Sequence, residues 1–262
     1  MKDVFFETGW RQFPFDPLLA GWVRSAAPAA RHAINAQENA RWMRCEGTWF
    51  AGVNVLPNDL FGAIGDGPEL AGTIIDFIRN ALKIEDLAWD RAQISVLYPE
   101  YPKPMEQESE SAYQYRRNRD AAHLDGLLPE GPDRRRHLRE YHSFILGIPL
   151  VDVEAGTSPF VVWEGSHEIM RKALRTFFAG TPPDKWSELD VTDIYHETRR
   201  LIFKDCNRVE ITCGPGESYL VHRLALHGVA PWKAKGGVAP NGRTVAYFRP
   251  ELSGPEKWLN AP

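Results

Sequence analysis

From about Trp89 onward the chain is a series of short apolar runs, rich in β-branched and aromatic residues and broken at each end by Gly, Pro, Asn or Asp. "RAQISVLYP", "YHSFILGIPLVDV", "SPFVVW", "RVEIT", "ESYLVHRLALH" and "RTVAYFRP" are the clearest. Runs of this length and composition, separated by turn residues, predict strands of a sandwich or jelly roll.

The first third reads mainly as helix. Asp16 before Pro17 has the form of an N-cap followed by proline at the first helical position. Pro68 to Ile84 carries Leu70, Ile74, Phe77, Ile78, Ala81 and Leu82 at helical spacing, and Trp49 to Leu56 interrupts as a strand. A helical insert is expected at about 166–203, with Ser166 and Thr192 as caps and Ile169, Ala173 and Phe177 recurring every four residues. The Arg-rich "GPDRRRHLRE" reads as a solvated loop. With no repeat or long linker, 1–262 is expected to be one domain, a mainly helical part over 1–88 packed on a β core over 89–250.

Net charge of -4 and a pI near 6.1 give no basic footprint for nucleic acid. No stretch has the length for a signal core or a membrane span, so a cytoplasmic protein is expected. Cys45, Cys206 and Cys213 are odd in number and lack CxxC spacing, which fits reduced thiols better than disulfides or structural zinc. Oligomeric state is left open.

In "NRDAAHLDGLLPEG", His123 and Asp125 stand at i and i+2. On a strand that spacing puts both side chains on one face, so the pair reads as part of a metal site needing a further ligand. His32, His137 and His196 lie in polar segments, His142 reads as a core or edge residue, and His167 as part of a helix's first turn. His222 and His227 are five apart, so on an unbroken strand only one faces inward. His227, at a strand end before Gly228, is the better candidate, although a bulge there would reverse the choice. Two histidines and one carboxylate leave coordination positions open, as in non-haem Fe(II) oxygenases. Arg243, at the start of the next strand, could grip the far carboxylate of a dicarboxylic cosubstrate.

These motifs, in this order over roughly 89–250, resemble the phytanoyl-CoA dioxygenase family of Fe(II)/2-oxoglutarate-dependent oxygenases. The resemblance rests on "HLD", "SPFVVWEGSH", "GPGESYLVHRLALHG" and "GRTVAYFRP". It implies a double-stranded β-helix, a cupin-like jelly roll with helices outside, and iron held by His123, Asp125 and His227. It also implies that Arg243 holds the C5 carboxylate of 2-oxoglutarate, and that O2 is consumed as a small or medium-sized substrate is hydroxylated and the cosubstrate is decarboxylated to succinate. Family members that lack the aspartate can halogenate, so Asp125 favours hydroxylation.

The chain departs from the family pattern at Val229, where many members carry a small hydroxyl residue that helps hold the cosubstrate. The interval from His227 to Arg243 is also long, with "KAKGGVAPNG" as an extended turn, so Arg249 on the same strand face is an alternative anchor. If the strand period ran back from the metal pair, Arg117, Arg119 and Ala121 would share its face. Arg119, supported by Arg117, is on that basis expected to hold an anionic substrate, unless the arginines are solvated or pair with "EQESE". Two other readings stay open: a metal-dependent jelly-roll enzyme not using 2-oxoglutarate, and a non-catalytic ligand-binding jelly roll.

Overall fold

The computed structural model describes residues 3–84, 87–235 and 241–262. Residues 236–240, where an extended turn before Arg243 is expected from the sequence, lie outside the described residues. In chain order the elements are α1 (Val4–Thr8), β1 (Trp10–Phe13), α2 (Pro17–Asn35), β2 (Met43–Arg44), β3 (Trp49–Gly52), α3 (Thr73–Ala81), β4 (Gln93–Leu97) and α4 (Glu110–Asn118). They continue with β5 (Leu127–Glu130), β6 (Arg135–Leu138), β7 (Phe144–Pro149), β8 (Phe160–Trp163), α5 (Ser166–Phe178) and α6 (Thr192–Asp205). The chain closes with β9 (Arg208–Ile211), β10 (Ser218–His222), β11 (His227–Val229), β12 (Arg243–Phe248) and α7 (Pro255–Asn260).

The strands form an antiparallel jelly-roll sandwich. A seven-stranded sheet runs β1-β10-β7-β12-β4-β3-β2, and a three-stranded sheet runs β11-β8-β9. An isolated antiparallel bridge between His123 and His227 adds the HLD segment beside β11, giving the small sheet a fourth line of backbone. Strand alternation divides the large sheet into two faces. Leu146, Ile148, Leu220, Ala246 and Phe248 point outward onto Trp22 of α2 and Ile74 and Ile78 of α3. Ile145, Tyr219, Val221, Val245 and Tyr247 point inward, onto Phe160 and Val162 of the small sheet. The small sheet's other face buries Val161 and Trp163 under Met170, Leu174 and Tyr195 of α5 and α6.

Asp16 caps α2 as expected, accepting from the Leu18 amide at 2.9 Å, and it also accepts from the Thr73 amide at 2.8 Å, tying α2 to the start of α3. Several other expectations are corrected. The 1–88 part is not only a helical cover, because β1 lies at one end of the large sheet and β2 and β3 at the other. The Pro68 to Ile84 helix shortens to α3, which begins after Gly72, whose φ of 127° breaks the helix. In the insert, the inward stripe of α5 is Met170, Leu174 and Phe178, one position along from the stripe read in the sequence, and Phe177 is exposed. Ser166 is the first residue of α5, and its hydroxyl instead accepts from the Leu226 amide at 2.9 Å. Thr192 likewise opens α6, with Asp190 accepting from its amide at 2.9 Å. The Arg-rich loop is the β5–β6 hairpin, in which Leu138 is buried and Arg135 bridges to Asp190.

Candidate metal centre and its cavity

His123 and Asp125 reach the interior because the backbone is extended there. Ala122 and Leu124 alternate with them and are buried in the cluster beneath α5 and α6. His227 arrives from the other side, on β11 opposite Val162 of β8. The two histidines are cross-strand partners, with amide-to-carbonyl hydrogen bonds of 2.8 and 3.1 Å. This approach demands a glycine next to His227, since a Cβ on Gly228 would lie 2.1 Å from the Asp120 carbonyl oxygen. That carbonyl also accepts from the Val229 amide at 2.8 Å.

The three side chains each offer a ligand atom, all within 4.8 Å of one another. Each imidazole directs Nδ1 at the carbonyl two residues before it, Ala121 for His123 and Ala225 for His227, both at 2.9 Å. Those carbonyls select the tautomer that leaves Nε2 with a lone pair facing Asp125. His227 Nε2 is buried and has no hydrogen-bond partner. Burial lowers the His227 pKa more than Asp125 raises it, so the imidazole is neutral and can donate its lone pair. Burial opposes ionisation of Asp125, but the Arg249 guanidinium outweighs it and holds the carboxyl well below the usual range. An orphaned buried nitrogen on His227, a second imidazole whose Nε2 lies 3.2 Å from Asp125 Oδ1, and an ionised carboxylate fit a divalent metal bound on one face with positions left open.

The centre opens into a cavity of about 590 Å³. Its walls include Trp42, Trp49, Arg44, Gln93, His142 and Tyr247. Phe160 stacks on the His227 ring at 5.4 Å between centroids and fixes its plane.

His222 lies elsewhere. β10 ends at His222 and residues 223–226 carry the chain across to the other sheet, so no single strand joins the two histidines. His222 sits by Arg171 and His167 at the outside of the large sheet. Arg249 lines the cavity, but its Nε donates to Asp125 Oδ2 at 2.7 Å and its Nη1 to Gln93 at 2.8 Å. Arg243 is buried behind Tyr219, to whose hydroxyl its Nη2 donates at 3.3 Å, and it does not line the cavity. Val229 lines the cavity without a hydroxyl to offer.

Arg117 and Arg119 are not on the metal pair's face. Residues 110–118 form α4, and Asp120 and Ala121 are both left-handed, so no strand alternation runs back from His123. The two arginines instead border a separate cavity of about 320 Å³ with Phe203, Arg208 and Lys233. The sequence reading missed Arg249 as a partner of Asp125 and His142 as a cavity residue. His142 stands beside Glu140, whose carboxylate is 3.1 Å from its Nε2.

No family model matches the chain, and no curated protein matches it in sequence. Among solved structures it is similar to the non-heme alpha-ketoglutarate-dependent carbocyclase SnoK from nogalamycin biosynthesis, at 14% identity over 97% of this chain and 86% of that one, with a TM-score of 0.49. It is similar to EctD from S. alaskensis with bound Fe, at 14% identity over 94% and 73% of the two chains, with a TM-score of 0.46. HygX from Streptomyces hygroscopicus, with nickel, 2-oxoglutarate and hygromycin B bound, gives 14% identity over 95% and 85%, with a TM-score of 0.41.

Proposed function

We propose that the chain is an Fe(II)- and 2-oxoglutarate-dependent dioxygenase that hydroxylates a small or medium-sized organic molecule and releases succinate. The observation that carries this reading is the convergence of His123, Asp125 and His227, with His227 Nε2 buried and unpartnered. Iron bound there would supply the activation of O2 that C–H hydroxylation needs. The protein's own part is positional. Ala121 and Ala225 orient the imidazoles, Arg249 holds the carboxylate, and Phe160 shields the His227 side from water. Arg243 is assigned to the far carboxylate of the cosubstrate on the motif order alone, since it lies behind Tyr219 and not in the cavity lining.

The motif order supports kinship with the phytanoyl-CoA dioxygenase family, and three free cysteines fit a reducing cytoplasm. Among the described residues no helix is long and apolar enough to cross a membrane. A metal-dependent enzyme needing no 2-oxo acid is the second reading, favoured by the position of Arg243 outside the cavity lining. Succinate formation from 2-oxoglutarate, measured with and without added Fe(II), separates the two. Iron-dependent succinate supports the dioxygenase, and its absence at full iron loading supports the second reading.

A further inference from the structure

His222, at the end of β10, is a buried imidazole whose two nitrogens both face donors. Nδ1 lies 2.9 Å from the Leu224 amide, and Nε2 lies 2.6 Å from Arg171 Nη2. Guanidinium and backbone N–H groups only donate. Burial, with Arg223 and Arg171 nearby, holds the His222 pKa well below its ordinary value, so the ring is neutral and carries one proton. Whichever nitrogen holds that proton, one N–H points at another. The backbone imposes the Leu224 contact, because the chain turns there and the Ala225 amide donates to the His222 carbonyl at 2.8 Å. The proton therefore belongs on Nε2, facing Arg171.

These two donors converge on one space. Arg171 and His222 line a cavity of about 400 Å³, walled by Phe6 of α1 and His167 of α5, which shares no lining residue with the metal cavity. His167 does not supply the acceptor. Its Nε2 is turned to the Phe6 carbonyl at 3.4 Å, and its Nδ1 is packed against Gly9, where a Cβ would lie 2.5 Å away. Glu168 meets Arg171 at Nε, 3.5 Å away, from an exposed side chain. Arg223 is buried and gives its donors to the carbonyls of Ser143, Trp258 and Ala261, none of which carries a charge to offset its own. Two buried or half-buried guanidiniums thus stand against one exposed carboxylate. A negatively charged acceptor in the cavity would resolve the conflict, taking an N–H from Arg171 and the Nε2–H of His222 while Nδ1 keeps the Leu224 amide.

We infer that this cavity binds a small oxyanion, a carboxylate or phosphate group, through Arg171 and His222. The site is remote from His123, Asp125 and His227 and stands independently of the dioxygenase reading. Calorimetry on metal-free protein tests it, with inorganic phosphate and acetate as probes and chloride as the comparison ion.

One equivalent of phosphate or of acetate is expected to bind, and the tighter of the two identifies the group. Arg171→Gln should weaken it by on the order of 10- to 100-fold, as for lost hydrogen bonds to a charged group. His222→Asn keeps an acceptor for the Leu224 amide and removes the donor at Nε2, so it should weaken binding by about 3- to 10-fold. Binding of neither probe, chloride binding as tightly as both, or parent affinity in Arg171→Gln overturns the assignment. Should the variants not fold, nitrogen NMR of the parent protein decides it. The Nε2–H proton of His222 should move downfield as the probe is added, and a signal that stays in place overturns the site.

Discussion

Arg249 Nε donates to Oδ2 of Asp125 at 2.7 Å, so the carboxylate whose other oxygen faces both histidines is held from behind by a cation. Gln93 takes a second guanidinium nitrogen and Asp90 accepts from the Arg249 amide at 3.0 Å, which fixes the arginine in turn. Partners of this kind orient a ligand, and their loss costs about 10- to 100-fold in metal affinity. Arg249→Leu should therefore weaken Co(II) binding by about that factor, with Arg249→Lys in between, as read by metal titration. Parent affinity in the leucine variant would show that Asp125 is oriented without it.

His123→Ala, Asp125→Ala and His227→Ala should each abolish stoichiometric metal binding, while His222→Ala keeps it. The contrast follows from position, because His222 lies outside the cavity beside Arg171 and His167. Metal content after dialysis gives the answer directly. Retention in the His227 variant with loss in the His222 variant would reverse the ligand assignment.

Gly228→Ala tests the close approach of β11 to the Asp120 turn. Its Cβ would meet a backbone carbonyl oxygen at 2.1 Å and the Ala122 Cα at 3.2 Å, neither of which can swing away like a side chain. Overpacking of this kind costs typically about 1–3 kcal/mol. Lower stability in urea and weaker metal binding are expected together, since the shift separates His227 from His123. A variant as stable and as metal-competent as the parent would be inconsistent with the contact.

Asp16 links the N-termini of α2 and α3, and Asp16→Ala should cost about 2 kcal/mol through loss of the cap and of the Thr73 contacts. Burial raises the Asp16 pKa, but hydrogen bonds from Thr73 and Leu18 outweigh it and set the folded value below 3.8. The carboxylate's contribution is thus present in full above the unfolded value and lost as pH falls through the lower folded value. The stability gap between parent and Asp16→Asn should shrink between pH 7 and about pH 3. Urea midpoints at both pH values would show it, and a constant gap would remove Asp16 from the acid response.

The strand series and the pairing of His123 with Asp125 were legible in the sequence because each is a local pattern. His123 and Asp125 obey the two-residue period through Ala122 and Leu124, and the runs that became β4, β7, β8, β9, β10 and β12 carry their own turn signals. His227, not His222, is the histidine that the fold brings beside His123 and Asp125, and strand parity is not the cause, since the chain changes sheets between the two. The tie between Arg249 and Asp125 was not legible, because it joins residues 124 positions apart and depends on where β12 docks. Arg117 and Arg119 were misplaced by extending a strand through a helix. The signal for that helix was present in Ser109, which caps α4 by accepting from the Ala112 amide at 3.3 Å. The left-handed Asp120 and Ala121 then reset the face; aspartate visits that conformation more often than most residues, but alanine gives no sign of it.

The place of β12 has a consequence for the order in which the protein can assemble on a ribosome. It pairs with β7 on one side and β4 on the other, yet it is the last of the described strands to be made. Until it emerges, the large sheet exists only as two separate halves, β1-β10-β7 and β4-β3-β2, each with an open edge. Trp22 and Ile78 wait during that time for the sheet face they will cover. Pairings between residues as distant as Trp10 and Val221 make the final closure slow and collective. A nascent chain stopped before Arg243 should therefore expose two sticky edges, and chaperone binding should persist until β12 has left the exit tunnel.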